Sequence, residues 1–284
     1  MRRVICRAAV RCGGALLAVV LVGAVIQAGD KAMDANTVLL WPDVPELSSP
    51  AKMGKAQRRG DKTRVYDVKT PHLKVFPGPK SAAPTPAVIL VPGGGYGKLV
   101  PSVHWPIQKW FHEQGVRAFI LMYRCPAGKA DKGTLQDIQQ AMKIVRARAK
   151  EWNVDPKRVG LLGTSAGGHL SVRASVGYKD ASTKPDFTVL LYPAYLRHRG
   201  TGKLGDWCRI PRDIAPTFLT AAKDDTKHFP NSPAYEEALK KAGASVSSLY
   251  FETGGHSFTV GKPDSVSAWS DTCRAWLKEI GILR

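Results

Sequence analysis

The sequence predicts an α/β fold, a mostly parallel sheet of about eight strands with helices on both faces. Three observations predict it. Apolar runs recur from residue 87 onward, and helical periodicity lies between them. One run leads through Gly163-Thr164-Ser165-Ala166-Gly167 into a helix-compatible stretch. Continuous apolar strands separated by amphipathic helices are the pattern of a parallel sheet buried on both sides.

Residues 1–28 have the features of an export signal. Arg2, Arg3, Arg7 and Arg11 precede an apolar stretch from Ala15 to Ile26, and Ala28 offers a cleavage position. That stretch is about a dozen residues, short of the roughly 20 a spanning helix needs. A secreted or periplasmic protein with no stable membrane span after processing is expected. Residues 29–86 are rich in Pro, Lys and Gly, an irregular N-terminal segment with first strands at 65–68 and 73–76.

Residues 87–284 read as the regular core, in a single domain with 29–86. Buried strands are expected at 87–91, 116–122, 158–162, 187–192, 217–221 and 247–251. Leu135, Ile138, Met142, Val145 and Ala149 share one helix face. Tyr235, Ala238 and Leu239 mark a second helix, and Trp269, Cys273, Trp276, Leu277 and Ile280 a last one.

The formal charge is +19, and removing residues 1–28 takes away four arginines and no acid, leaving +15. Such a surface suits anionic partners, an acidic polysaccharide among them. No zinc finger, aromatic RNA-binding strand or heptad-bearing basic region accompanies the charge, so nucleic acid is not expected as a partner. Cys125, Cys208 and Cys273 are an odd set without zinc spacing, and neither C-x-x-C nor H-E-x-x-H occurs. No metal is expected. The pattern does not fix an oligomeric state.

Gly163-Thr164-Ser165-Ala166-Gly167 is G-x-S-x-G in strand–turn–helix context, a nucleophile elbow. The serine sits on a strained turn, and glycines two residues away leave room for the neighbouring strand and helix. Ser165 is therefore the expected nucleophile, exposed at the carboxyl edge of the sheet.

A serine nucleophile needs a base, and the base an orienting acid. On elbows of this kind the acid and then the histidine follow in chain order. Asp224 and Asp225 come after the run at 217–221, and His256 after the run ending at 251. Asp225 is preferred and Asp224 is the alternative, since pattern does not separate adjacent carboxylates. His256 is one of seven histidines. Its place after the last strand favours it over His72, His112, His169, His198 and His228, and His104 beside the glycine loop is its rival.

Val91-Pro92-Gly93-Gly94-Gly95-Tyr96 follows the first core strand. Consecutive glycines let N–H groups converge, so Gly94 and Gly95 with Ala166 are expected to form an oxyanion hole. A phosphate loop would need glycine in place of Pro92 and Ser or Thr in place of Leu99, and a dinucleotide fingerprint would need glycine at Lys98 or Val100.

VPGGGY, GVRAFILMYRCP, DIQQAMKIVRARAKEWNVDPKRVGLLGTSAGGHL and NSPAYEEALKKAGASVSSLYFETGGHSF together make the chain resemble secreted bacterial α/β-hydrolases of the esterase/lipase superfamily, the acetyl-xylan esterase-like carbohydrate esterases. The resemblance spans roughly residues 70–280. It implies an α/β-hydrolase fold, a triad on Ser165, Asp225 and His256, and ester hydrolysis through an acyl-serine without a cofactor. A short acyl group on a polysaccharide is the preferred substrate. The chain departs from relatives at Trp105-Pro106 and at Thr226-Lys227-His228-Phe229, both in loops bordering the site.

A serine peptidase of the prolyl-oligopeptidase type uses the same triad, but residues 29–86 are too few for its accessory propeller. A non-catalytic binding protein on the same scaffold has no use for Ser165 and His256 together. Tyr96, His104, Trp105 and Trp207 are the candidate substrate contacts, the indoles as stacking surfaces for a sugar, with core or interface packing the favoured reading of each indole. Residues 193–212, with Tyr195, form the expected specificity loop. Asp137, in the capping-box pattern Thr134-Leu135-Gln136-Asp137, reads as structural, as does Tyr123-Arg124.

Overall fold

A computed structural model describes residue 34 and residues 36–198, 200–260 and 268–284. The expected export signal lies outside them. Four strands come before the core: β1 (Thr37–Leu39), β2 (Lys55–Arg59), β3 (Lys62–Tyr66) and β4 (His72–Val75). The core strands are β5 (Thr85–Val91), β6 (Arg117–Met122), β7 (Val154–Thr164), β8 (Thr188–Leu191), β9 (Thr217–Ala222) and β10 (Val246–Phe251). The helices are α1 (His104–Glu113), α2 (Lys132–Ala147), α3 (Ala166–Val176), α4 (Asn231–Lys241) and α5 (Trp269–Glu279).

Eight strands form one sheet in the order β1-β4-β6-β5-β7-β8-β9-β10. Pairing is parallel from β6 through β10, and antiparallel where β1 meets β4 and β4 meets β6. Every residue of β5 is buried, which explains why it reads as an unbroken apolar run. In β9, Phe218 meets Trp276 of α5 at 5.7 Å, while its neighbour Leu219 packs in a cluster with Tyr235 and Leu239 of α4. Alternate residues thus feed two layers. Trp110 of α1 lies 5.6 Å from Trp269 of α5, placing α1 and α5 on one face.

The order reverses at β5: β6 lies on one side of it and β7 on the other. Loops leaving the carboxyl ends of β5 and β7 diverge there, and such a crevice is where open α/β sheets bind ligands. The glycine loop follows β5 and Ser165 follows β7.

The segment before the core holds more strand than its sequence suggests. β2 reads Lys-Ala-Gln-Arg-Arg and is exposed throughout, so no apolar alternation marks it. It pairs with β3 as a separate two-stranded sheet. Val65 of β3 exchanges two backbone hydrogen bonds of 2.8 Å with Leu99, fastening this hairpin to the loop after β5.

Asp137 is structural for a different reason from the expected capping box. The N-cap of α2 is Asp131, whose carboxylate accepts from the Thr134 N–H at 2.8 Å. Asp137 is buried and accepts from Arg124 Nη2 at 2.8 Å, the Arg124 N–H at 3.0 Å and Trp41 Nε1 at 2.9 Å. Burial outweighs these partners and holds its carboxyl above the usual range. Among the described residues, Cys125, Cys208 and Cys273 are free thiols.

Candidate active site

Ser165 has φ 51° and ψ −119°, a region that costs a non-glycine residue conformational energy. The fold sustains it by hydrogen bonds on both sides. The Ser165 N–H donates to the Leu191 carbonyl at 3.1 Å, and its own carbonyl accepts from His169 and Ala194. Close packing dictates the flanking glycines: a Cβ at Gly167 would stand 2.0 Å from the Val91 carbonyl oxygen, and one at Gly163 would stand 2.4 Å from that of Gly167.

Three side chains from three loops meet at this turn. His256 Nε2 lies 2.8 Å from Ser165 Oγ, and His256 Nδ1 lies 2.5 Å from Asp225 Oδ2. The Asp225 side chain is nearly buried, and that of His256 is 29% exposed. Asp224 plays another part: it accepts from the N–H groups of Gly254 and Gly255 at 3.1 and 2.8 Å, which hold its carboxyl below the usual range. The loop bearing His256 is also pinned by Phe258, buried against Tyr192 with ring centroids 4.7 Å apart. Tyr192 sets its ring edge against His256 at 4.9 Å and donates its hydroxyl to the Phe258 carbonyl at 3.0 Å.

The glycine loop is braced from below, where the Tyr123 hydroxyl donates to the Pro92 carbonyl at 2.8 Å. The Gly93 N–H donates to Thr164 Oγ1 at 3.1 Å, tying the loop to the strand that carries the serine. Gly94 has φ 137°, and a Cβ there would stand 2.1 Å from the Lys98 carbonyl oxygen. Gly94 and Gly95 line a cavity of about 280 Å³ together with Ser165 and His256. Ala166 is the first residue of α3, where an N–H has no intrahelical acceptor.

None of the four expected substrate contacts is among the residues lining this cavity. His104 is fully buried in the first turn of α1, and among the described residues neither ring nitrogen has a hydrogen-bond partner. Burial drives its pKa down to about 3. The positive φ of Tyr96 accompanies a ring turned inward, and its hydroxyl shares a 2.7 Å hydrogen bond with His169 Nδ1. Trp105 is 50% exposed on α1 and is not among the residues lining the cavity. Trp207 is 39% exposed and lines a neighbouring cleft.

The cavity also contains residues that sequence reasoning did not assign to it, Lys62 and Arg64 from the β3 hairpin, Lys98 and Tyr192, together with His228 from the loop expected to border the site. The His228 ring lies 4.7 Å from that of His256. It follows Asp225 by three residues, within one turn closed by the His228 N–H on the Asp225 carbonyl. Asp225, His228 and His256 bring potential ligand atoms within 4.8 Å of one another. Both His256 nitrogens are already committed to Ser165 and Asp225, which leaves that ring no lone pair for a metal.

The BD-FAE family model matches residues 73–190. An acetylxylan esterase of Xylanibacter ruminicola is 29% identical over 201 residues, covering 62% of this chain and 41% of that protein. The crystal structure of an acetyl ester-xyloside bifunctional hydrolase from Caldicellulosiruptor lactoaceticus superposes with a TM-score of 0.70 at 26% identity, covering 87% of this chain and 97% of the other. The chain has the α/β-hydrolase fold and is similar to acetylxylan esterases.

A carboxylesterase of Mycobacterium tuberculosis is also similar to this chain, 25% identical over 181 residues, 61% of this chain and 56% of its own. The chain thus spans about two fifths of the acetylxylan esterase and just over half of the carboxylesterase. Among the described residues, no helix is long and apolar enough to cross a membrane.

Proposed function

We propose that this chain is a serine carboxylic-ester hydrolase that removes acetyl or other short acyl groups from polysaccharide. The observation that carries the reading is the continuous hydrogen-bonded series Ser165–His256–Asp225 beside a glycine loop at the sheet's switch point. Asp225 holds the proton of the neutral imidazole on Nδ1, which leaves Nε2 as the base. His256 Nε2 takes the Ser165 proton as Oγ attacks the ester carbonyl carbon. The resulting oxyanion is held by the N–H groups of Gly94, Gly95 and Ala166, each worth about 3 kcal/mol in the transition state.

Collapse of the tetrahedral species breaks the ester C–O bond, and His256 gives its proton to the departing alcohol. Water then attacks the acyl-serine with His256 again as base, releasing the acid and restoring Ser165. No step calls on a cofactor. The names of two relatives, an acetylxylan esterase and an acetyl ester-xyloside hydrolase, support acetyl as the acyl group and saccharide as the alcohol. The basic and apolar pattern of residues 1–28 supports a secreted or periplasmic enzyme.

Acetate released from acetylated xylan, and p-nitrophenol from its acetate and longer esters, tests this reading with wild type beside Ser165→Ala. Serine-dependent turnover favouring polymer-linked acetyl groups is expected. Turnover of small esters alone would remove the polysaccharide assignment, and no serine-dependent turnover would remove the hydrolase assignment.

A further inference from the structure

Beside the Ser165 cavity lies a cleft of about 760 Å³, and Tyr195 and His228 line both. Four cations line the cleft, Lys129, Arg197, Lys203 and Lys227, against the single carboxylate of Asp206. Elsewhere Arg124, Arg146, Arg148, Arg158 and Lys184 are held by acids at 3.0 Å or less. Among the described residues, none of the four cleft cations forms an ion pair. Lys129 instead sets its ammonium 4.2 Å from the Tyr195 ring centroid, and Arg197 spends one N–H on the Gly202 carbonyl.

Ring contacts lead from the triad into this cleft. His256 meets His228 at 4.7 Å, His228 meets Tyr195 at 5.9 Å, Tyr195 meets His169 at 6.1 Å and His169 meets Trp207 at 4.9 Å. The series ends on a half-exposed indole set among ammonium and guanidinium groups. Apolar sugar faces stack on such a surface, and an anionic substituent finds charge-assisted donors beside it. Lys62, Arg64 and Lys98 add positive charge to the wall of the Ser165 cavity.

We infer that this cleft is a subsite for a negatively charged sugar, one bearing a carboxylate or a sulfate, next to the acylated sugar at Ser165. The inference rests on the ester-hydrolase reading and names the class of polymer: an acylated acidic polysaccharide rather than a neutral one. The high net charge of +19 then has a local use, since unpaired cations near the site steer and retain a polyanion.

Binding to the Ser165→Ala protein tests it, with a neutral xylo-oligosaccharide, an oligogalacturonate and a sulfated oligosaccharide of similar length as probes. At low salt an anionic probe is expected to bind on the order of tenfold tighter than the neutral one, a preference that shrinks at high salt. The better anionic probe identifies carboxylate or sulfate as the group recognised. The double variant Lys203→Gln/Lys227→Gln, and separately Lys227→Glu, are expected to erase the preference; neither side chain holds the loop. Equal binding of all three probes, or a preference that survives both variants, overturns the subsite. Wild-type turnover of p-nitrophenyl acetate is measured alongside. Turnover without charge preference overturns the subsite and leaves ester hydrolysis intact. Charge-dependent binding by a protein that cleaves no ester supports the cleft and removes the hydrolase reading.

Discussion

Asp224 and Asp225 are adjacent in the chain and hold two different parts of one loop. Asp225 faces Nδ1 of His256 at 2.5 Å, and Asp224 takes the N–H groups of Gly254 and Gly255 just before that histidine. One carboxylate sets the imidazole, and the other sets the backbone that carries it.

Substitution separates these two parts. Asp225→Asn is expected to lower kcat by about 10⁴-fold, because an amide no longer fixes the imidazole tautomer. Asp224→Asn keeps an acceptor for the glycine N–H groups and is expected to cost about tenfold or less. Steady-state kinetics on p-nitrophenyl acetate reads both, and equal losses would contradict the division of labour.

Gly167→Ala is expected to destabilise by about 3 kcal/mol or more, since the new methyl would run into the backbone carbonyls of Val91 and Pro92, which cannot swing aside as a side chain can. Gly97, beside the same loop, has open space where a Cβ would go. Gly97→Ala is therefore expected to change the denaturation midpoint little. Urea unfolding of the two variants checks the contrast.

Asp137→Ala is expected to cost about 3 kcal/mol, because it strips the carboxylate from Arg124 and leaves the Trp41 indole N–H unpaired. Thermal unfolding measures the loss. Catalytic constants of the fraction still folded should stay close to wild type, as Asp137 is not among the residues lining the Ser165 cavity.

Three buried histidines link folding to pH. Burial lowers His72 to about 4 and His104 and His169 to about 3, from an ordinary 6.5, with Lys74 adding to the effect at His72 and Arg173 and Lys129 at His169. The unfolded chain binds protons that the native state refuses, so stability is full above about pH 6.5 and is lost progressively as pH falls toward 3–4. His104→Phe removes one of the three, and its unfolding midpoint is expected to fall less steeply between pH 6 and 4 than that of wild type. An unchanged slope would show that His104 does not refuse the proton.

Most of the sheet was legible because β5 to β9 are buried on both faces, which leaves long apolar runs bounded by turns. β1 and β2 were not: one is three residues long and the other is fully exposed, so neither carries a periodic signal. At the site, G-x-S-x-G and the glycine loop are readable because backbone crowding itself demands glycine. The walls are harder to read. His104 and Tyr96 stand near the glycine loop in sequence, yet burial turns both away from the cavity, while Lys62 and Arg64 reach it from a hairpin fastened through Val65 and Leu99. Such residues become neighbours only through the sheet order.

The central claim is that Ser165 is a nucleophile activated by His256. Treating the protein with a fluorophosphonate and mapping the adduct by peptide mass spectrometry tests it most directly. A single adduct on Ser165, absent from Ser165→Ala and strongly slowed in His256→Ala, is the predicted result. An unlabelled wild type, or an adduct formed equally well without Ser165, would contradict it.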